Sequence, residues 1–200
     1  MRLIKICGLT DKAGVDAAVS AGADAVGFVF ARSVREIGAE QAAGIARDVP
    51  GHVLRVAVMR HPDVELWREV ETFFRPDVLQ TDAADFEYLD VAPEIMRWPV
   101  LREGAAAPAQ ALAGSFVYEG KVSGRGQRVD WQNAAALARQ GRMILAGGLN
   151  CENVAEAIEQ VLPYGVDVSS AVESAPGVKD SQLIHAFVAA VRAAENRQEC

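Results

Sequence analysis

Lys5-Ile6-Cys7-Gly8-Leu9-Thr10 is the stretch on which the fold turns. It closes an apolar run, Leu3-Ile4-Lys5-Ile6, that reads as a first strand, and Thr10-Asp11 then signals a helix start. The same alternation recurs along the chain. Strand-like runs at 24–30, 53–59, 76–80, 95–101, 115–119, 143–146 and 165–169 are separated by stretches of helical character. Helices are expected over 11–23, 39–49, 62–74, 105–113, 130–140, 150–161 and from 180 onward, with a short one at 85–90. Pro99 argues against a regular fifth strand. Strands this continuously apolar are buried on both faces, as in parallel sheets. Eight such units predict an α/β fold, a single (β/α)8 TIM barrel with minimal loops. An open doubly wound sheet is the other arrangement this pattern allows. One domain over residues 1–200 is expected, with the tail 195–200 frayed.

Composition excludes several classes of function. The chain has 200 residues, half of them hydrophobic, and a formal net charge of −7. A phosphate-backbone binder wants a basic face, so no nucleic-acid partner is expected. No apolar run reaches the roughly 18 residues of a membrane span, and the N-terminus lacks a signal peptide's apolar core. Three cysteines, odd in number and far apart, suit reduced thiols in the cytoplasm. Three histidines without ligand spacing give no reason to expect a metal. No apolar seam is obvious, so a monomer is expected rather than a homodimer.

In a parallel barrel every strand's carboxyl end lies on one face. That face gathers Cys7, Arg35, Asp82, Glu119, Gly147, Gly148, Asp167, Ser169 and Ser170. A free Cys is most often a small buried hydrophobe, but a thiol at a strand end can also face a pocket. Gly147-Gly148-Leu149-Asn150 leads into a helix, and glycines let backbone N–H groups approach an anion. With Ser169-Ser170 it makes a pair of turns after the last two strands, the usual phosphate position of this fold. Arg35 has the fork geometry to hold a carboxylate. Glu119 ends an apolar strand, where partial burial suits it to general-acid work; the plainer reading pairs it with Lys121 or Arg125.

These segments together resemble the phosphoribosylanthranilate isomerase family of tryptophan biosynthesis. Lys5-Ile6-Cys7-Gly8-Leu9-Thr10 is similar to its N-terminal signature, and Gly27-Phe28-Val29-Phe30 with Ser33-Val34-Arg35 to its second strand and Ser-x-Arg loop. Gly124-Arg125-Gly126 with Val129-Asp130-Trp131, and Ala146-Gly147-Gly148-Leu149-Asn150 with Asn153-Val154, follow in register. So does Asp167-Val168-Ser169-Ser170-Ala171-Val172-Glu173, then Pro176-Gly177 and Lys179-Asp180. The resemblance implies an Amadori rearrangement of N-(5′-phosphoribosyl)anthranilate without metal or cofactor. It implies that Cys7 is the base, with Lys5 two residues back on the same side of the strand. It implies Arg35 at the anthranilate carboxylate, Asp167 near the opened sugar or the amine, and the Gly147–Gly148 and Ser169–Ser170 backbones at the phosphate. Three positions depart from the family pattern. Glu119 stands where its general acid is an Asp. Asp82 stands for a His in Gln-Leu-His-Gly, which puts the substrate contact expected there on a different side chain. Ala171 replaces a Gly, which is easy only at negative φ. A ribulose-phosphate epimerase would want His ligands at strand ends, and a regulator that lost turnover is the non-catalytic alternative.

Overall fold

Apolar strands and capped helices alternate until the sheet closes on itself. The computed structural model describes residues 1–104, 114–121 and 128–198. The strands are β1 (Leu3–Cys7), β2 (Ala25–Val29), β3 (Leu54–Val58), β4 (Val78–Asp82), β5 (Met96–Arg102), β6 (Ser115–Glu119), β7 (Arg142–Leu145) and β8 (Gly165–Val168). They pair in sequence order, all parallel, and β8 pairs back onto β1, so the barrel is closed and the open-sheet alternative falls. The helices are α1 (Lys12–Ala21), α2 (Ala39–Ile45), α3 (Val64–Phe73), α4 (Trp131–Ala138), α5 (Val154–Val161) and α6 (Ser181–Gln198).

Period-two alternation divides each strand between two cores. Leu3, Ala25, Val56, Val78, Val100, Val117 and Ile144 fill the barrel. Phe28, Phe116, Trp67, Phe74 and Phe187 belong to the layer between strands and helices. There Phe28 meets Phe74 edge-on with ring centroids 5.0 Å apart.

Helix starts obey local chemistry. Asp11, Asp63 and Asp130 each accept a backbone N–H of the first turn of α1, α3 and α4. Gly22 ends α1 in the left-handed conformation, φ 89°, where a Cβ would strain the chain.

Several boundaries differ from expectation. α2 stops at Ile45, four residues before the expected end. The segment after β4 is a 3-10 turn, Ala83–Glu87, earlier than the expected helix. Pro99 is accommodated inside β5, in register with Thr81 and just before the β5–β6 pairing begins at Val100. Asn150 caps a turn, accepting from Glu152 N and Asn153 N, and α5 begins only at Val154. After β8 the chain makes a 3-10 turn, Ser170–Val172, and a small hairpin of β9 (Glu173–Ala175) and β10 (Val178–Lys179) that the periodicity did not reveal. The tail does not fray at 195. α6 continues to Gln198 because Glu195 is buried, accepting from Arg2 N and from Arg192 Nη1. The helix expected at 105–113 and most of the Gly-rich loop at 120–127 lie outside the described residues. Among the described residues no helix is long and apolar enough to cross a membrane.

Candidate active site

One mouth of the barrel opens on a cavity of about 220 Å³ whose wall includes Cys7, Arg35, Glu119, Gly147, Gly148, Asp167, Ser169 and Ser170. Eight of the nine residues expected from the sequence therefore meet there. Asp82 is the ninth, and it stands behind Arg102, which does line the cavity.

The floor is a buried charge pair. Lys5 and Asp167 are register partners on β1 and β8, both inward, and Lys5 Nζ donates to Asp167 Oδ2 at 2.8 Å. Lys5 is fully buried, which works against its charge, yet Asp167 and Cys7 hold its pKa above the ordinary lysine value. Gly27 makes this possible. A Cβ there would stand 3.0 Å from Lys5 Cε and 3.1 Å from Cys7 Sγ, so both side chains rest on a bare Cα. Burial pushes the Cys7 thiol up, and Asp167 adds to that; Lys5 and Lys179 pull it down. The resting group is thus a thiol with two ammonium groups at hand to favour its anion.

Two buried acceptors in the wall lack a protein donor among the described residues: Asp167 Oδ1 and Gln80 Oε1. Buried acceptors of this kind want N–H or O–H donors from a ligand. Gln80 was missed as a site residue, although inward alternation on β4 from Val78 points to it.

Arg35 is held by a clamp. Its Nε and Nη2 donate to Glu173 Oε1 and Oε2 at 2.6 and 2.8 Å, which leaves Nη1 for a ligand. Lys179 Nζ donates to Glu173 Oε1 at 2.7 Å and to the Ser169 carbonyl at 2.9 Å, so one carboxylate ties Arg35 to the turn after β8. Burial alone would raise the Glu173 pKa, but the Arg35 and Lys179 hydrogen bonds lower it to about 2. Arg35 crosses over Gly8, where a Cβ would lie 2.4 Å from Arg35 Cδ. The Cys-Gly step of the opening stretch therefore clears the path of the arginine. Glu173 and Lys179 were read only as part of a motif, because the hairpin that aims them was not visible.

The two turns have the expected form. Gly147 and Gly148 sit at φ 91° and 68°, and Asn153 Nδ2 donates to the Gly148 carbonyl at 2.8 Å. Ala171 is not among the positive-φ residues, so its Cβ is tolerated in the 3-10 turn.

On the far side Glu119 pairs with Arg102, its register partner on β5, a partner not considered from the sequence beside Lys121 and Arg125. Arg125 lies outside the described residues. Arg102 also donates to Asp82, Nε to Oδ1 at 2.8 Å and Nη2 to Oδ2 at 3.1 Å. Arg102 was missed because the fifth strand was expected to end at Leu101. Asp130 is an exposed cap of α4.

His61, Asp82 and Asp85 bring three potential metal ligands within 4.8 Å of one another, a grouping that spacing along the chain concealed. Protein donors already knit it together. Both Asp82 oxygens serve Arg102, and Asp85 accepts from the Thr81 hydroxyl, His61 N, His61 Nδ1 and Tyr88 Oη. Burial works against the Asp85 charge, and the Thr81 and His61 bonds outweigh it to hold its pKa below the ordinary value.

The family model described as N-(5′-phosphoribosyl)anthranilate (PRA) isomerase matches residues 4–190. The chain belongs to the phosphoribosylanthranilate isomerase family. Named isomerases of this family resemble it along nearly their whole length. The one from Desulforamulus reducens is 40% identical, covering 94% of each chain, and the one from Streptococcus mutans is 36% identical, covering 96% of this chain and all of that one. The crystal structure of the isomerase from Thermus thermophilus superposes with a TM-score of 0.82 at 30% identity, covering 96% of this chain and 99% of that one. Another, with a TM-score of 0.80, 28% identity and coverage of 96% and 100%, holds reduced 1-(o-carboxyphenylamino)-1-deoxyribulose 5-phosphate.

Proposed function

We infer that this chain converts N-(5′-phosphoribosyl)anthranilate to 1-(2-carboxyphenylamino)-1-deoxyribulose 5-phosphate, the isomerisation step of tryptophan biosynthesis. The reaction needs an acid to protonate the furanose oxygen, which opens the sugar to a Schiff base. A base then removes the proton at C2, and the resulting enolamine tautomerises to the ketone. The observation that carries the reading is the gathering of Cys7, Glu119, Arg35 and two glycine- and serine-bearing turns around one cavity.

Glu119 is the acid, at the β6 end of the mouth. Cys7 is the base, at the β1 end. A buried thiol is a weak base, but the cationic iminium of the opened substrate makes the adjacent C–H acidic, and Lys5 and Lys179 favour the thiolate. Arg35 takes the anthranilate carboxylate through Nη1, its other edge being fixed on Glu173. The backbones of Gly148, Ser169 and Ser170 hold the phosphate. Asp167 Oδ1 and Gln80 Oε1, the acceptors without protein donors, take the substrate's amine and hydroxyl hydrogens. No step calls for a metal or cofactor. The reading includes a cytoplasmic, monomeric enzyme, and sedimentation at dimer mass would remove the monomer.

The test is turnover. The fluorescence of phosphoribosylanthranilate falls on conversion, and we expect Cys7→Ala to abolish that fall while leaving the substrate bound. A Cys7→Ala protein that still turns over would remove the thiol from the mechanism. A wild-type protein that binds without turnover would leave only a regulator.

A further inference from the structure

We propose that Arg32 and Arg60, at the rim of the mouth after β2 and β3, are a steering pair: two guanidinium groups that draw the anionic substrate into the cavity and set kcat/KM rather than kcat. The inference deepens the reading of the cavity as the site of phosphoribosylanthranilate and rests on it.

Neighbouring strands place the two arginines. Val29 and Val58 are register partners at the ends of β2 and β3, and Arg32 and Arg60 follow them by three and two residues. Both line the cavity and both are exposed, so they belong to its entrance. Val29, Ala31, Val58 and Met59 make the same stretch of wall apolar.

Among the described residues the wall has four cationic side chains, Arg32, Arg35, Arg60 and Arg102. Two of them are engaged by carboxylates. Arg35 is forked onto Glu173, and Arg102 is bonded to Asp82 and Glu119. The Arg32 and Arg60 side chains have no hydrogen bond, ion pair or ring contact among the described residues. The acids nearest to them in the chain are Glu36 and Asp63. Neither is among the described wall residues, and Asp63 is turned to the start of α3, where it accepts from Leu66 N.

Uncommitted positive charge has a use at this place. The chain carries a formal net charge of −7, and the substrate brings a carboxylate and a phosphate, the latter at roughly −1.5 to −2 near pH 7. The field of the chain as a whole therefore opposes the substrate's approach. Two cations on the rim of a cleft reverse that field locally and raise the local concentration of an anion. A group that orients a reacting atom must itself be fixed, as Arg35 is by Glu173. Arg32 and Arg60 have no such tether among the described residues and act through their charge. Their effect must then follow ionic strength, because the Debye length falls from about 30 Å at 0.01 M to about 3 Å at 1 M.

The experiment measures kcat and KM for phosphoribosylanthranilate between about 0.01 and 1 M ionic strength. Three double variants are compared with wild type: Arg32→Ala with Arg60→Ala, Arg32→Glu with Arg60→Glu, and Arg32→Lys with Arg60→Lys. Each variant is read as a ratio to wild type at the same ionic strength, which cancels any general effect of salt on the enzyme. We expect the alanine pair to lose roughly 10-fold in kcat/KM at the lowest ionic strength, with kcat within about two-fold. The glutamate pair loses more, and the lysine pair loses little, because steering needs a point charge and not a fork. All ratios return toward one near 1 M. An alanine pair with wild-type kcat/KM at low ionic strength overturns the steering and leaves the isomerase standing. So does a loss of unchanged size at 1 M, or one that the lysine pair shares, either of which makes the arginines direct contacts. A wild-type protein without turnover overturns the isomerase reading and the steering with it.

Discussion

Glu173→Gln tests the clamp that aims Arg35. The Glu173 carboxylate bonds Arg35 twice, Lys179 once and the Gly177 N–H at 3.2 Å, and its side chain is 4% exposed. These partners lower its pKa to about 2 from an ordinary 4.5. A carboxyl lowered on folding stabilises the folded state fully above its unfolded value, and that contribution fades as pH falls from about 4.5 toward 2. The gap corresponds to about 3 kcal/mol, at about 1.4 kcal/mol per pH unit. With so little exposure, solvent screening leaves most of that figure in place. Glu173→Gln should therefore lower stability at pH 7 by about 3 kcal/mol, which in a chain of this size is a fall in Tm of about 6–12 °C. Urea unfolding of both proteins by circular dichroism from pH 7 downward supplies the comparison. The difference between them should be constant to about pH 5 and shrink below it. KM for phosphoribosylanthranilate should rise as well, because Arg35 loses its fixed edge. A stability difference under about 1 kcal/mol at pH 7, or one that does not change with pH, would refute the clamp as described.

Two further substitutions probe the floor and the opening motif. Lys5→Met strands the Asp167 carboxylate in the barrel and should cost about 3–5 kcal/mol, whereas Lys5→Met with Asp167→Asn should cost clearly less than the two singles added; a cost for Lys5→Met below about 1 kcal/mol would contradict a charged pair. Gly8→Ala meets φ 75° and puts a Cβ 2.4 Å from Arg35 Cδ, so about 1–2 kcal/mol of backbone strain should accompany a raised KM; an unchanged KM would mean that Arg35 does not bind the substrate.

Much of the barrel was readable because its signals are local. Strand runs, aspartate caps at Asp11, Asp63 and Asp130, and Gly22 each act within a few residues. Parallel strands then force all carboxyl ends to one face, so Cys7, Glu119, Arg35 and the two turns could be gathered without coordinates. The Cys-Gly step was read as a thiol with a turn; only the structure shows that Gly8 clears space for Arg35 and Gly27 for Lys5.

The chain order of apolar runs, by itself, determined the eight barrel strands, their direction and most of the residues that reach the mouth. It did not determine who touches whom there. The Lys5–Asp167 pair, the Arg35–Glu173–Lys179 clamp and the Asp82–Arg102–Glu119 bridge each join residues from different strands or from the hairpin after β8. Such contacts depend on sheet register and on where β5 ends, and a shift of one residue turns a side chain from the barrel interior to the helix layer. Register is set by packing over the whole barrel, so only the tertiary structure decided it.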